Sequence, residues 1–352
     1  MVNKEKLPAL DGLRGWMALW VFVTHVVTMA TLPLVKTQGL GIVLANGQYA
    51  VCVFILLSGF VISNSATSHT WRNFIIRRGF RLFPAYLVCL LGSVVTLDLS
   101  IDLIQSTPWH MERTADRLKY LLDSKENFWT HLGLHVFLLH GLVPDKLLSS
   151  TSYAFMGQAW SLSLEWQYYL IVGLLMMFSL KSKNIIFELL ILGFLIFIAK
   201  FQTQPSFILM YLWLFFVGHL FWKHFDEKQF WRWPLYLGLS LLMRDKSYPI
   251  ILFAGVVYSS YYKGAFSQWF ESKLSLFLGQ ISYGFYCVHM LSIFVTGYCL
   301  LHVFNVESRW LYCGLLIISS LALAITLSML LNKYIELPMI RYAKKITSKS
   351  KD

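Results

Sequence analysis

Charge is what this sequence has least of. Only 14% of its 352 residues are Asp, Glu, Lys or Arg, where a soluble domain carries about 25%. A soluble globule of this composition would lack the polar surface to cover itself. Acids are the scarcest class, 18 against 30 Lys and Arg. Cysteine is sparse too: Cys52, Cys89, Cys287, Cys299 and Cys313 all fall in apolar runs with no paired spacing. That excludes a disulfide framework and a cysteine zinc site, and leaves five small core residues. There is no Gly-x-Ser-x-Gly elbow and no phosphate-binding P-loop. Internal repeats, low-complexity stretches and a linker to a second domain are missing as well. The formal charge of +12 is therefore not a nucleic-acid footprint, because no soluble domain exists to carry a basic and aromatic stripe.

What is present is apolar. Hydrophobic residues make up 57% of the chain, and its mean hydropathy is +0.58. Runs long enough to cross a bilayer, roughly 17–25 residues, recur along it. The sequence predicts an all-α polytopic membrane protein of about ten spans, near residues 12–33, 42–64, 82–99, 160–180, 184–199, 206–222, 233–243, 248–262, 276–304 and 310–332. Asp11 and Arg14 interrupt the start of the first run, and no cleavage site follows, so it reads as an uncleaved first helix and not as a signal peptide. With ten alternating spans and both termini in the cytoplasm, nineteen of the 30 Lys and Arg fall inside, among them Lys4, Lys6, Arg72, Arg77, Arg78, Arg81, Lys181, Lys183, Lys349 and Lys351. The bias follows the positive-inside rule. Residues 100–159 form the largest outer segment, and the apolar piece 128–143 within it reads as interfacial or re-entrant. Residues 1–340 are expected to form a single transmembrane domain, followed by a basic cytoplasmic tail at 341–352 and no appended soluble domain.

Ionisable groups inside a membrane are costly and each needs a reason. Arg14 and His25 stand eleven residues apart on the first helix, three turns, so they share a face about 16 Å apart along the axis. Arg14 then lies near the cytoplasmic surface and His25 near mid-membrane, where a neutral imidazole is a ready general base for a hydroxyl. Arg72, Arg77, Arg78 and Arg81 crowd ten positions in the loop expected after the second span. A snorkelling anchor explains some of this, but arginine at all four positions favours phosphate, which a guanidinium binds bidentately. Trp160, Ser161, Ser163, Glu165, Trp166, Gln167, Tyr168 and Tyr169 open the fourth span from the outer side, as an interfacial aromatic belt or as rings and polar groups that suit a carbohydrate. Gln280, Ser282, Tyr283, Tyr286 and His289 lie on the ninth span; taken alone, His289 reads first as a structural histidine packed against another helix. His131, His135 and His140 have no acid at ligand spacing, so no metal is expected.

Together these segments resemble the acyltransferase type 3 family of membrane O-acyltransferases, over essentially the whole chain. The resemblance is carried by Leu10-Asp11-Gly12 with Arg14 and His25, by Phe54-Ile55-Leu56-Leu57-Ser58-Gly59-Phe60, by Arg81-Leu82-Phe83-Pro84-Ala85-Tyr86, by Trp160-Ser161-Leu162-Ser163-Leu164-Glu165, and by Ile281-Ser282-Tyr283, in that order. The family often has two acids after its Trp-Ser-Leu element, where this chain has Glu165 and then Trp166. The resemblance implies the stand-alone type, as in O-antigen or exopolysaccharide acetylation. Cytoplasmic acetyl-CoA would be held by Arg72, Arg77, Arg78, Arg81 and Tyr283, with Arg14 near the pantetheine entrance. A polysaccharide or lipid-linked sugar would approach from outside beside Glu165, with Trp160, Ser161, Tyr168 and His289 toward the acceptor. His25 would act as base or carry the acyl group transiently. The bacterial inner membrane is the implied location. A small acceptor such as a macrolide is the alternative within the enzyme reading. A sugar or ion transporter, or a structural partner of a glycan-assembly complex, is the alternative outside it; the former lacks matching Gly/Pro-broken helices.

Overall fold

The computed structural model describes residues 7–30, 46–109, 112–178 and 184–348. The junction of spans one and two (31–45), the end of span four (179–180) and Lys4, Lys6, Lys181, Lys183, Lys349 and Lys351 lie outside the described residues. The regular structure of the described residues is all helical, with no strand among them. They form α1 (Pro8–Met29), α2 (Gly47–Ala66), α3 (Trp71–Val95), α4 (Leu97–Ser106), α5 (Glu112–Glu126), α6 (Phe128–Val136), α7 (Trp160–Phe178), α8 (Ile185–Ala199), α9 (Leu212–Asp226), α10 (Trp233–Ser240), α11 (Ser247–Tyr261), α12 (Ala265–Phe270), α13 (Lys273–Tyr298), α14 (Arg309–Leu331) and α15 (Leu337–Ser348). Short π-helical turns, Cys299–Val303 and Asn332–Glu336, extend α13 and α14.

Among the described residues, α2 and the continuous stretches Lys273–Val303 and Arg309–Ser348 are long and apolar enough to cross a membrane. α3 and α4 pass the same test as a pair bent by 54°. The bundle's exterior agrees with a lipid solvent: Leu91, Val95, Leu190, Phe194, Phe197 and Ile318 are exposed, which in water would be an aggregation-prone surface. Polar residues are turned inward instead.

Two crossings set the architecture, and both are built on glycine. In lipid there is no hydrophobic drive between helices, so close backbone approach and dispersion take its place. A β-carbon on Gly279 would lie 2.2 Å from the Asp11 carbonyl oxygen of α1. A β-carbon on Gly59 of α2 would lie 2.2 Å from the Phe215 carbonyl oxygen of α9. From the first crossing α1 and α13 run side by side in the same direction, with Phe22 against Phe285 and then His25 against His289. From the second, α2 and α9 also run in one direction, Gln48 donating to the Tyr211 hydroxyl at one end and Ser63 meeting His219 at the other.

The structure departs from the expected third span. Residues 71–81 are not a loop: α3 begins at Trp71, capped by the Thr70 hydroxyl, which accepts from the Asn73 N–H. Arginine is a good helix former and nothing before Pro84 breaks the run, so the helix carries all four arginines. In the outer segment, residues 97–106, 112–126 and 128–136 are helices, and the sixth span begins at Leu212 instead of near 206.

Candidate active site

A cavity of about 1080 Å³ opens between α1, α2, α3, α7, α9 and α13, at the upper end of ligand-pocket sizes. Arg14, Arg78 and Arg81 line it, together with Asp11, Glu165, Asp226 and Lys228. Its residues on α1 come from the first two turns of that helix, those on α3 (Arg78, Arg81 and Leu82) lie two to three turns in, and its Asp226 is in the last turn of α9.

Each charged group is placed by its own helix. Arg14 follows the glycine crossing by less than a turn and approaches Asp11 at 3.7 Å. Arg78 lies over the rings of Phe74 and Tyr169, 5.7 and 5.5 Å from their centroids; such cation–π contacts hold a guanidinium flat while leaving its N–H groups free to donate. Arg81 is three residues on, the spacing that keeps it on Arg78's face. Glu165 accepts from the Ser58 hydroxyl at 3.2 Å and from the Tyr169 hydroxyl. A fixed carboxylate thus faces three guanidinium groups, and the site stays net positive.

The far wall is Ser161, whose hydroxyl pairs with Tyr286 at 2.7 Å, and Tyr283, whose hydroxyl donates to the Leu82 carbonyl. One turn beyond Tyr286, His289 stacks on His25, with ring centroids 5.3 Å apart and planes 29° apart. His289 is fully buried; one ring nitrogen meets the Tyr286 carbonyl at 2.8 Å, and Nε2 has no hydrogen-bond partner among the described residues. The cavity and the histidine pair are therefore joined through Tyr286, whose ring centroid lies 5.7 Å from that of His289.

Of the residues singled out from sequence, Arg14, Arg78, Arg81, Ser161, Glu165 and Tyr283 line this cavity, and His25 and His289 form the pair behind it. Glu165 was expected toward the outer side and the arginines toward the inner; they share one cavity. Arg72 is exposed at the start of α3. Arg77 turns the other way, donating to the Thr347 hydroxyl at 2.7 Å and meeting His69. Trp160 packs on Tyr211 and Tyr168 stacks on Phe215 at 4.1 Å; neither lines the cavity. Sequence reasoning passed over Asp226 and Lys228, which carry no motif, and gave Ser58 and Tyr169 no role, although both lie in segments it singled out. The rings of His135 and His140 lie face to face at 3.9 Å, which keeps their nitrogens from converging. No three His, Cys, Asp or Glu side chains among the described residues come together as a metal ligand set.

The family described as "Acyltransferase domain" matches residues 7–329. Acyltransferase MdmB of Streptomyces mycarofaciens is 29% identical over 171 residues, 47% of this chain and 38% of that protein. O-acetyltransferase OatA of Staphylococcus aureus is 28% identical over 207 residues, 55% of this chain and 29% of that protein. The matched stretch thus covers well under half the length of either relative. No solved structure matches the chain at a significant level.

Proposed function

The chain belongs to the acyltransferase family, and from that premise we propose that it is a membrane O-acetyltransferase moving an acetyl group from cytoplasmic acetyl-CoA to a hydroxyl of a cell-surface polysaccharide or lipid-linked sugar. The observation that carries the reading is the placement of Arg14, Arg78 and Arg81 around one cavity, one side chain short of the stacked pair of half-buried His25 and buried His289. CoA brings several phosphates, and guanidinium groups are the side chains best shaped to hold them. Arg78 and Arg81 are assigned the phosphates, Arg14 and Tyr283 the passage of the pantetheine arm, and Glu165 the counter-charge that keeps three cations in one site. Arg72 and Arg77 are given no donor contact.

The thioester then reaches His25, about 16 Å along α1 from Arg14. The acceptor hydroxyl attacks the thioester carbonyl while His25 takes its proton; the C–S bond breaks and the CoA thiolate leaves toward the cavity, where it is reprotonated. A transient acetyl-His25 is the second route to the same products. The helix directions, α1 and α13 one way and α2, α7 and α9 the other, support alternating spans; the basic bias supports both termini in the cytoplasm. The bacterial inner membrane is the location this topology serves. A small hydroxyl compound such as a macrolide is the alternative acceptor, and the relative named an acyltransferase without reference to a polymer keeps it in view.

Donor binding tests the assignment. Acetyl-CoA titrated into purified protein is expected to bind Arg78→Ala and Arg81→Ala about tenfold or more weakly than wild type, because a charge-assisted hydrogen bond contributes roughly 1.5–3 kcal/mol. Arg77→Ala should bind acetyl-CoA like wild type but unfold at lower temperature. Equal donor affinity in all three variants removes the arginine assignment.

A further inference from the structure

A further cation lies outside the donor cavity, against the turn that docks on α13 beside His289. Arg117 stands on α5, in the segment 97–159 that connects α3 to α7, and is half-buried. Its guanidinium lies so close to Gly157 that a β-carbon there would sit 2.1 Å from Nη1 and would push the guanidinium aside. Beside it Tyr120 and Tyr153 stack, ring centroids 4.8 Å apart.

No carboxylate among the described residues forms a salt bridge with Arg117. Asp116 beside it is exposed. Asp123, on the same helix, accepts from Ser149 and Ser150 and pairs with Lys119 at 4.0 Å. A half-buried guanidinium without a counter-charge loses hydration and receives little in exchange.

The turn that Arg117 backs onto docks on the same stretch of α13. Gln158 donates through Nε2 to the Cys287 carbonyl at 2.8 Å, and the Tyr286 hydroxyl donates to the Gln158 carbonyl at 3.1 Å. The Gln158 side chain is 2% exposed, yet its Oε1 has no hydrogen-bond partner among the described residues. His289 Nε2, two residues beyond Cys287, is in the same position. A buried acceptor and a buried ring nitrogen at the same stretch of α13, with a cation lacking a salt bridge against the neighbouring Gly157, are what a hydroxyl-bearing anion would satisfy.

We propose that Arg117 is the acceptor-side specificity residue, recognising an anionic group, phosphate or carboxylate, on the molecule whose hydroxyl is acylated. The proposal rests on the reading of His25 and His289 as the reacting end of the site. It divides the cations between the substrates: Arg78 and Arg81 for the donor, Arg117 for the acceptor.

The test uses the purified full chain in detergent and four probes: farnesyl pyrophosphate against farnesol, and octyl glucuronide against octyl glucoside. Binding is read by tryptophan fluorescence. Wild type is expected to bind one of the anionic probes with at least about tenfold lower half-saturation than its neutral partner. The pyrophosphate arm identifies a phosphate-bearing acceptor and the glucuronide arm an acidic sugar. The preference should vanish in Arg117→Gln and in Gly157→Ala, which displaces the guanidinium without removing its charge, and should be partly retained in Arg117→Lys. Unchanged acetyl-CoA binding shows that each variant is folded. No anionic preference in wild type, or a preference that survives both Arg117→Gln and Gly157→Ala, overturns the proposal. His25-dependent hydrolysis of acetyl-CoA, measured on the same samples, reports separately on the enzyme reading, so that the two fail in distinguishable ways.

Discussion

Four arginines within ten positions finish in three environments, and residue-level reasoning could see only part of why. The spacing of Arg77 and Arg81 predicts a shared face, but Arg77 is drawn away by Thr347, 270 residues distant in the chain. Arg78 and Arg81 share the cavity instead. The Arg14–His25 pairing on one face of α1 was legible because it depends on local geometry alone. The partner of that face was not, since the stack of His25 on His289 is set by how α1 meets α13. Glu165 gives a prediction at this scale. Oppositely charged groups at 4 Å attract by about 1 kcal/mol in water and about 4 kcal/mol at an effective dielectric of 20. Glu165→Ala therefore leaves the guanidinium groups of the cavity repelling one another, and acetyl-CoA, a polyanion, supplies the missing charge. The thermal midpoint of Glu165→Ala should fall below wild type and rise more than wild type does when saturating acetyl-CoA is added. Equal ligand-induced shifts in the two proteins would remove the counter-charge role.

At the scale of elements, long apolar helices were readable and their polar starts were not. α13 and α14 lie within a few residues of the ninth and tenth expected spans, whereas α3 starts eleven residues before the expected third. Hydropathy marks where lipid begins, and a helix cap ignores lipid. The outer segment was legible as charged and mixed in sign, but its folding onto the bundle depends on contacts between distant stretches. One of these is Asp123, which ties α5 to residues 149–150. Burial on its own would raise this carboxyl, but hydrogen bonds from Ser150 and Ser149 and the nearby Lys119 outweigh it and hold the group below the usual carboxylate range. A folded-state value below the unfolded one, which is about 3.9, stabilises above that pH and ceases to do so as pH falls through the folded value. Asp123→Asn should thus be less stable than wild type at pH 6, by roughly 1–2 kcal/mol, with the difference closing as pH drops below about 4. A gap in thermal midpoint that stays constant from pH 6 to pH 3 would show that Asp123 does not hold the segment in its ionised form.

For the whole molecule, composition already fixed the solvent as lipid, and the exposed Leu91, Val95 and Phe194 agree with it. The order of helices around the cavity was beyond reach of pattern, because Gly12, Gly15, Gly59, Gly218 and Gly279 act only when their partner backbones are known. Those crossings bring the first turns of α1, Arg78 and Arg81 of α3 and the end of α9 to one cavity, and place the histidine pair further along α1 and α13. On the proposed assignment, that arrangement sets a single path from the arginines of the cavity to His25. Mass spectrometry of surface glycans tests it most directly, in cells expressing wild type, His25→Ala or Arg14→Ala at equal membrane abundance. The expected result is a base-labile acetyl group added by wild type, absent with His25→Ala and strongly reduced with Arg14→Ala. Acetylation by His25→Ala at the wild-type level would contradict the path at its end point.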